Sequence, residues 1–264
     1  MTRNLTGRQV AAMLAGMWTS RRRFLTYAAV SGTAALAGGN PAAGATPPER
    51  KLKVIVTGGH PGDPEYGCGG TVARYTDLGH EVIMLYLNRG EKACPATETD
   101  LGSSVRVPEA KKACEILKAR PVFAPQCDGH AIVDAAHYSE FRQIIEAERP
   151  DVFFTHWPID GHRDHRAISM LSYDAWLSMG KKFGFYYYEV SDGEDTLMFA
   201  PTDWVDITAT EARKRQACYA HASQAPDKFY AMQTQVTRFR GIESGHEQAE
   251  GYIRHAQSPG NLLP

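Results

Sequence analysis

Cysteine is scarce and scattered. The five cysteines, Cys68, Cys94, Cys114, Cys127 and Cys218, form no CxxC pair, which excludes a zinc ribbon, a thioredoxin-type redox motif and a dense disulfide framework. Cys68 lies among glycines with no second thiol or histidine at ligand spacing, and reads as a small packing residue. Basic patches are also lacking. Lys and Arg number 29 against 30 Asp and Glu; the short runs Lys181-Lys182 and Arg213-Lys214-Arg215 read as solvated helix faces. Nucleic acid is therefore not expected as a partner, because phosphate contacts need clustered positive charge. No continuous apolar run of ~20 residues offers a membrane span. Internal repeats and low-complexity tracts are missing.

The first 45 residues do not read as part of a globular fold. Ser20-Arg21-Arg22-Arg23-Phe24-Leu25 leads into a mildly apolar stretch diluted by Ser31, Gly32, Thr33, Gly38 and Gly39, and Ala43-Gly44-Ala45 supplies a small-x-small cleavage pattern. This resembles a twin-arginine export signal. The resemblance implies passage through the twin-arginine machinery to a periplasmic or secreted location, with cleavage after Ala45 and no membrane span thereafter. The polar lead before Ser20 makes Met13 and Met17 alternative starts. The signal carries five of the 29 basic residues and no acids, so residues 46–264, 219 in number, hold 24 basic against 30 acidic side chains, a net of −6. That length suits a single domain.

From Lys51 onward, short β-branched runs alternate with longer amphipathic ones. Strands are expected at 52–57, 81–87, 121–123, 151–154 and 183–190, and helices at 71–78, 108–119, 138–148, 166–177 and 208–221, the last an exposed one rich in Lys, Arg and Glu. This alternation predicts an α/β fold, a Rossmann-like three-layer sandwich with a mostly parallel sheet. The aromatic run Phe185 to Val190 reads as strand packing.

Two bends rich in His and Asp follow strands. The first, His60-Pro61-Gly62-Asp63-Pro64-Glu65, precedes a glycine-rich stretch, but the dinucleotide reading fails on spacing: after Gly67 and Gly69 the next glycine falls at 70, and position 72 is Val72. Alone, Asp63-Pro64-Glu65 reads equally well as a helix start. The second bend supplies His156, Asp160, His162, Asp164 and His165 within ten residues. Ligands of open parallel sheets bind beyond the carboxyl ends of strands, so the bends can share one cleft. A catalytic zinc site takes three N or O ligands and keeps one position open.

These motifs resemble the LmbE-like or PIG-L family of zinc-dependent N-acetyl-sugar deacetylases, whose motifs run His-Pro-Asp-Asp-Glu and His-x-Asp-His. The resemblance runs from Lys53 to about Tyr252 and takes in Gly67 to Thr71, Asn88 to Glu91, Arg106 with Glu109, Asp128-Gly129 and His221 to Gln224. It implies one zinc ion per chain held by His60, Asp63 and His165. It also implies that His162 stabilises the charged intermediate or protonates the departing amine, that Asp164 tunes His162, and that Arg106 and Asp128 contact the sugar. The expected substrate is an amino sugar or glycoconjugate, with N-acetylglucosamine as the model case.

The chain departs from the family where the general base should stand. Position 62 is Gly62, so Asp160, Asp164 or Glu65 must take the water's proton, or the reaction forgoes the ~10²–10⁴-fold that a positioned base contributes. A second expectation follows: a metal-containing carbohydrate-binding module that gave up catalysis. Two His and one carboxylate also form the facial triad of iron oxygenases, but their usual HxD pair differs from the HxxD spacing found here.

Overall fold

The structure is a computed structural model that describes residues 50–91, 105–191 and 194–264. The expected export signal, Cys94 and most of the loop after Glu91 lie outside the described residues.

Seven strands form one sheet: β1 (Lys53–Gly58), β2 (Glu81–Tyr86), β3 (Arg120–Phe123), β4 (Val152–His156), β5 (Gly184–Tyr188), β6 (Asp203–Asp206) and β7 (Ala249–Arg254). Their order is β3-β2-β1-β4-β5-β7-β6. Neighbours from β3 through β5 are parallel, and β7 runs antiparallel to both β5 and β6. The helices are α1 (Asp63–Asp77), α2 (Arg106–Leu117), α3 (Ala135–Glu148), α4 (Arg163–Ser178), α5 (Glu194–Met198), α6 (Glu211–Ala220) and α7 (Pro226–Ser244). No helix among the described residues is long and apolar enough to cross a membrane.

The strand period of two sorts side chains onto the two faces. Val54, Val56 and Phe154 pack with Cys68 and Val72 of α1, Ala113 and Leu117 of α2 and Ala217 of α6. Ile55, Phe153 and Phe185 face the other way, onto Ile145 of α3 and Leu171 and Trp176 of α4. This is the expected three-layer α/β sandwich with a mostly parallel sheet. Phe185, Tyr186 and Tyr188 are buried, as packing residues should be.

Two local expectations need correction. Helix α1 starts at Asp63, not near Thr71, and its glycines serve close packing: a Cβ on Gly67 would fall 2.2 Å from Tyr188 Cδ2 and one on Gly70 2.6 Å from Ile207 Cβ. Helix α6 is not simply an exposed, charged face. Lys214 is fully buried and donates to Glu250 Oε1 at 2.5 Å, because a buried ammonium requires a paired carboxylate.

Parallel pairing of β1 with β4, Val54 opposite Val152 and Val56 opposite Phe154, brings their carboxyl ends side by side. The bends that follow are thus neighbours, although about a hundred residues separate them.

Candidate metal and catalytic site

The first bend folds back on itself. His60 N–H donates to Asp63 Oδ2 at 2.8 Å, and Gly62, with φ 115° and ψ −41°, sits just before α1. That conformation is one L side chains rarely adopt, so the turn that aims Asp63 beside His60 depends on glycine. In the second bend, His162 caps α4: its Nδ1 accepts the Asp164 N–H at 3.2 Å, while Asp160 Oδ1 accepts the His162 N–H at 2.7 Å.

Three donor atoms converge between the bends. His165 Nε2 lies 3.1 Å from Asp63 Oδ2 and 3.3 Å from His60 Nδ1, and His60 Nδ1 lies 3.3 Å from Asp63 Oδ2. Tetrahedral zinc with bonds of ~2.0–2.1 Å needs ligand atoms roughly 3.3–3.4 Å apart. The triangle has that size, and both imidazoles are buried. The donor set therefore fits a divalent cation by spacing and by chemistry.

Carboxylates grip the far nitrogen of each imidazole. His60 Nε2 lies 3.0 Å from Asp128 Oδ1 and 3.1 Å from Asp164 Oδ2, and His165 Nδ1 lies 2.9 Å from Asp160 Oδ2. Asp164 is fixed in turn by the N–H groups of Gly129 at 2.7 Å and Ala131 at 3.3 Å, and by Asn88 Nδ2 at 3.3 Å. Such partners orient metal-binding imidazoles and raise their basicity. Burial opposes charge on His60, yet Asp128, Asp164 and Asp63 hold its imidazolium well above the ordinary histidine range. Burial likewise opposes charge on Asp63, and His165, His156 and His60 hold its carboxyl well below the usual range. The cluster is thus arranged to hold positive charge at its centre.

Every residue singled out for this site lies in one neighbourhood. Arg106 donates to the Pro61 carbonyl at 2.6 Å and stands 3.8 Å from Asp128, which ties both expected sugar contacts to the His60 bend. His162 packs edge-on against His60, ring centres 4.5 Å apart. Burial and the imidazoles of His60 and His165 lower its pKa. With Nδ1 accepting the Asp164 N–H, the neutral form of His162 carries its proton on Nε2.

Glu65 is fully buried, accepting from Tyr86 O–H at 2.7 Å and meeting His221 Nε2 at 3.0 Å. His221 therefore anchors helix α1 to the segment after α6. The sequence reading placed His156 in the second bend but gave it no role. It is completely buried, its Nε2 lies 3.3 Å from Asp63 Oδ2, and that same atom accepts the Gly59 N–H at 3.1 Å. Its position at the end of a buried strand was the available signal. Since its lone pair is already engaged, His60 is the better third donor. A cavity of about 270 Å³ opens beside Asp63, His162 and His165, and among the described residues Asp63 is the sole carboxylate on its wall.

Together, fold and site define a mostly parallel α/β protein with a buried His/Asp cluster able to hold a metal at the carboxyl ends of β1 and β4. Residues 55–176 match the model of the PIG-L family, described as GlcNAc-PI de-N-acetylase. It is 28% identical over 228 residues to the diacetylchitobiose deacetylase of Thermococcus kodakarensis, covering 75% of this chain and 81% of that protein. A conserved protein of Thermus thermophilus superposes with a TM-score of 0.66 at 27% identity over 81% of this chain and 97% of its own. The 4-carboxy-2-hydroxymuconate hydratase of Pseudomonas putida gives a TM-score of 0.68 at 22% identity, covering 80% of this chain and 99% of its own. That likeness concerns the fold alone, so the reaction must be argued from the site.

Proposed function

We propose that this protein is a zinc-dependent amidohydrolase that removes an N-acetyl or related N-acyl group from an amino sugar or glycoconjugate. The observation that carries the reading is the triangle of His60 Nδ1, Asp63 Oδ2 and His165 Nε2, with sides of 3.1–3.3 Å, in a chain related to a deacetylase. A zinc ion held there would polarise the amide carbonyl and make water acidic enough to attack at neutral pH.

The chain's own residues supply the rest. Asp160 and Asp164 keep His165 and His60 in the tautomers that present Nε2 and Nδ1 to the centre. His162 donates its Nε2–H to the oxygen that gains charge as water adds to the carbonyl. The C–N bond then breaks, leaving a carboxylate and a free amine that takes up a proton. Arg106 and Asp128 hold sugar hydroxyls. Glu65, Asp160 and Asp164 each already bond an imidazole, so none is offered to water as a ready substitute for the acid missing at Gly62. The chain thus works without the ~10²–10⁴-fold of a positioned base.

Gly62 favours one second reading, a metal-containing carbohydrate-binding module. Purified protein, as made and after the twin-arginine export expected of it, is assayed for zinc content and for acetate release from N-acetylglucosamine and diacetylchitobiose. Zinc near one per chain with slow acetate release, both lost in His165→Ala, is the expected result. Zinc and sugar binding without any acetate would leave the binding module in its place.

A further inference from the structure

We propose that the cavity beside Asp63 and His165 is an acyl chamber, and that the preferred substrates carry straight N-acyl chains longer than acetyl. This deepens the hydrolase reading and rests on it for the position of the scissile carbonyl.

An amide carbonyl directed at the His60, Asp63 and His165 donors sends its sugar one way and its acyl chain the other. The cavity that begins at Asp63 and His165 is walled by Pro61, Tyr66, Val190, Phe229 and Met232. Three residues on this wall keep polar atoms covered: Tyr66 Oη, Ser191 Oγ and His221 Nδ1 are buried without hydrogen-bond partners. A sugar hydroxyl placed against this wall would lose water and gain no partner, which is unfavourable. A methylene there gains by leaving water. Arg106, Gln224 and His162 also line the cavity and mark the edge that the sugar and the scissile carbonyl would share.

Gly62 now has a second consequence. A Cβ at this position would meet nothing closer than 3.9 Å, the nearest atoms belonging to His221 and Tyr66, so the missing side chain leaves space where the related motif has an aspartate. The resulting volume of about 270 Å³ far exceeds the ~10–15 Å³ that a single water-sized group requires by this measure. An acetyl methyl would leave most of it empty.

Two measurements on the zinc-loaded protein test the chamber. The first is kcat/KM for N-acetyl-, N-butanoyl- and N-hexanoylglucosamine, followed by the freed amine. It should rise about fourfold per added methylene, and flatten in Met232→Gln and Phe229→Asn, which change half-buried and exposed side chains. The second is calorimetric affinity for acetate, butanoate and hexanoate, which needs no turnover; hexanoate should bind at least tenfold more tightly than acetate, with the gain lost in Met232→Gln. Cleavage of all three amides at equal or falling rates, with equal carboxylate affinities, overturns the chamber. Tighter hexanoate binding without cleavage of any amide supports the chamber and removes the hydrolase reading.

Discussion

Asp160 Oδ2 lies 2.9 Å from His165 Nδ1, on the opposite side of the imidazole from Nε2, which stands 3.1 Å from Asp63 Oδ2. A carboxylate in this position fixes the tautomer and orientation of a metal-binding histidine. Asp160→Asn is therefore expected to weaken zinc affinity about 10–100-fold, read by competition with a chromophoric chelator. At saturating zinc the rate should recover most of its wild-type value. A rate that stays low with the site fully loaded would instead make Asp160 the proton acceptor.

Gly62 carries a backbone constraint that no side chain can satisfy without strain, since φ is 115°. Gly62→Asp, which restores the acid expected from the resemblance, should cost about 1–3 kcal/mol, measured by urea denaturation. It should also fail to raise acetate release, because relieving the strained φ shifts the turn and moves Asp63 with it. A stable, faster Gly62→Asp would show that the bend accommodates the acid.

Lys214 and Glu250 form a fully buried pair at 2.5 Å, and Glu250 also accepts the N–H groups of Gly70 and Thr71 at 2.9 and 2.8 Å. Removing one partner strands the other charge. Lys214→Met should destabilise the fold by about 3–5 kcal/mol, while Lys214→Met with Glu250→Gln should recover part of that loss. Urea denaturation of the three proteins checks both expectations.

The sequence disclosed the parallel half of the molecule because each of its elements carries its own period. Val54, Ile55 and Val56 announce a buried strand, and the ladder that aligns β1 with β4 brings His60 and His165 together. The carboxyl-terminal part was less legible. Helix α7 buries Gln233, Thr237 and Arg240 where apolar residues would mark a face, and β7 inserts antiparallel between β5 and β6, an order that no local pattern encodes. Lys214 looked solvated because its partner, Glu250, comes 36 residues later. At the site, residue types were visible but the division of labour was not. The grip of Asp160 and Asp164 on opposite imidazoles depends on how α4 starts, and the covering of the Tyr66, Ser191 and His221 polar atoms depends on packing from distant elements.

Removing zinc should reveal how far the site is held together by charge. Burial opposes protonation of His165, but Asp63 and Asp160 raise its pKa to about 9 in the metal-free protein, against ~6.5 in an unfolded chain. A folded-state value above the unfolded one stabilises fully below pH ~6.5 and is lost as pH rises through about 9; His60 shifts in the same direction. The chelated protein should therefore melt at progressively lower temperature between pH 6.5 and 9. Zinc competes with those same protons, so the gain from adding it should widen across that window. At a free zinc concentration of 100 Kd, binding adds ~2.7 kcal/mol, or about 5–10 °C for a domain of this size. His165→Ala should show neither the pH trend in its full extent nor the zinc-dependent rise, in melts followed by circular dichroism. A wild-type melting curve indifferent to both zinc and chelator would remove the metal centre.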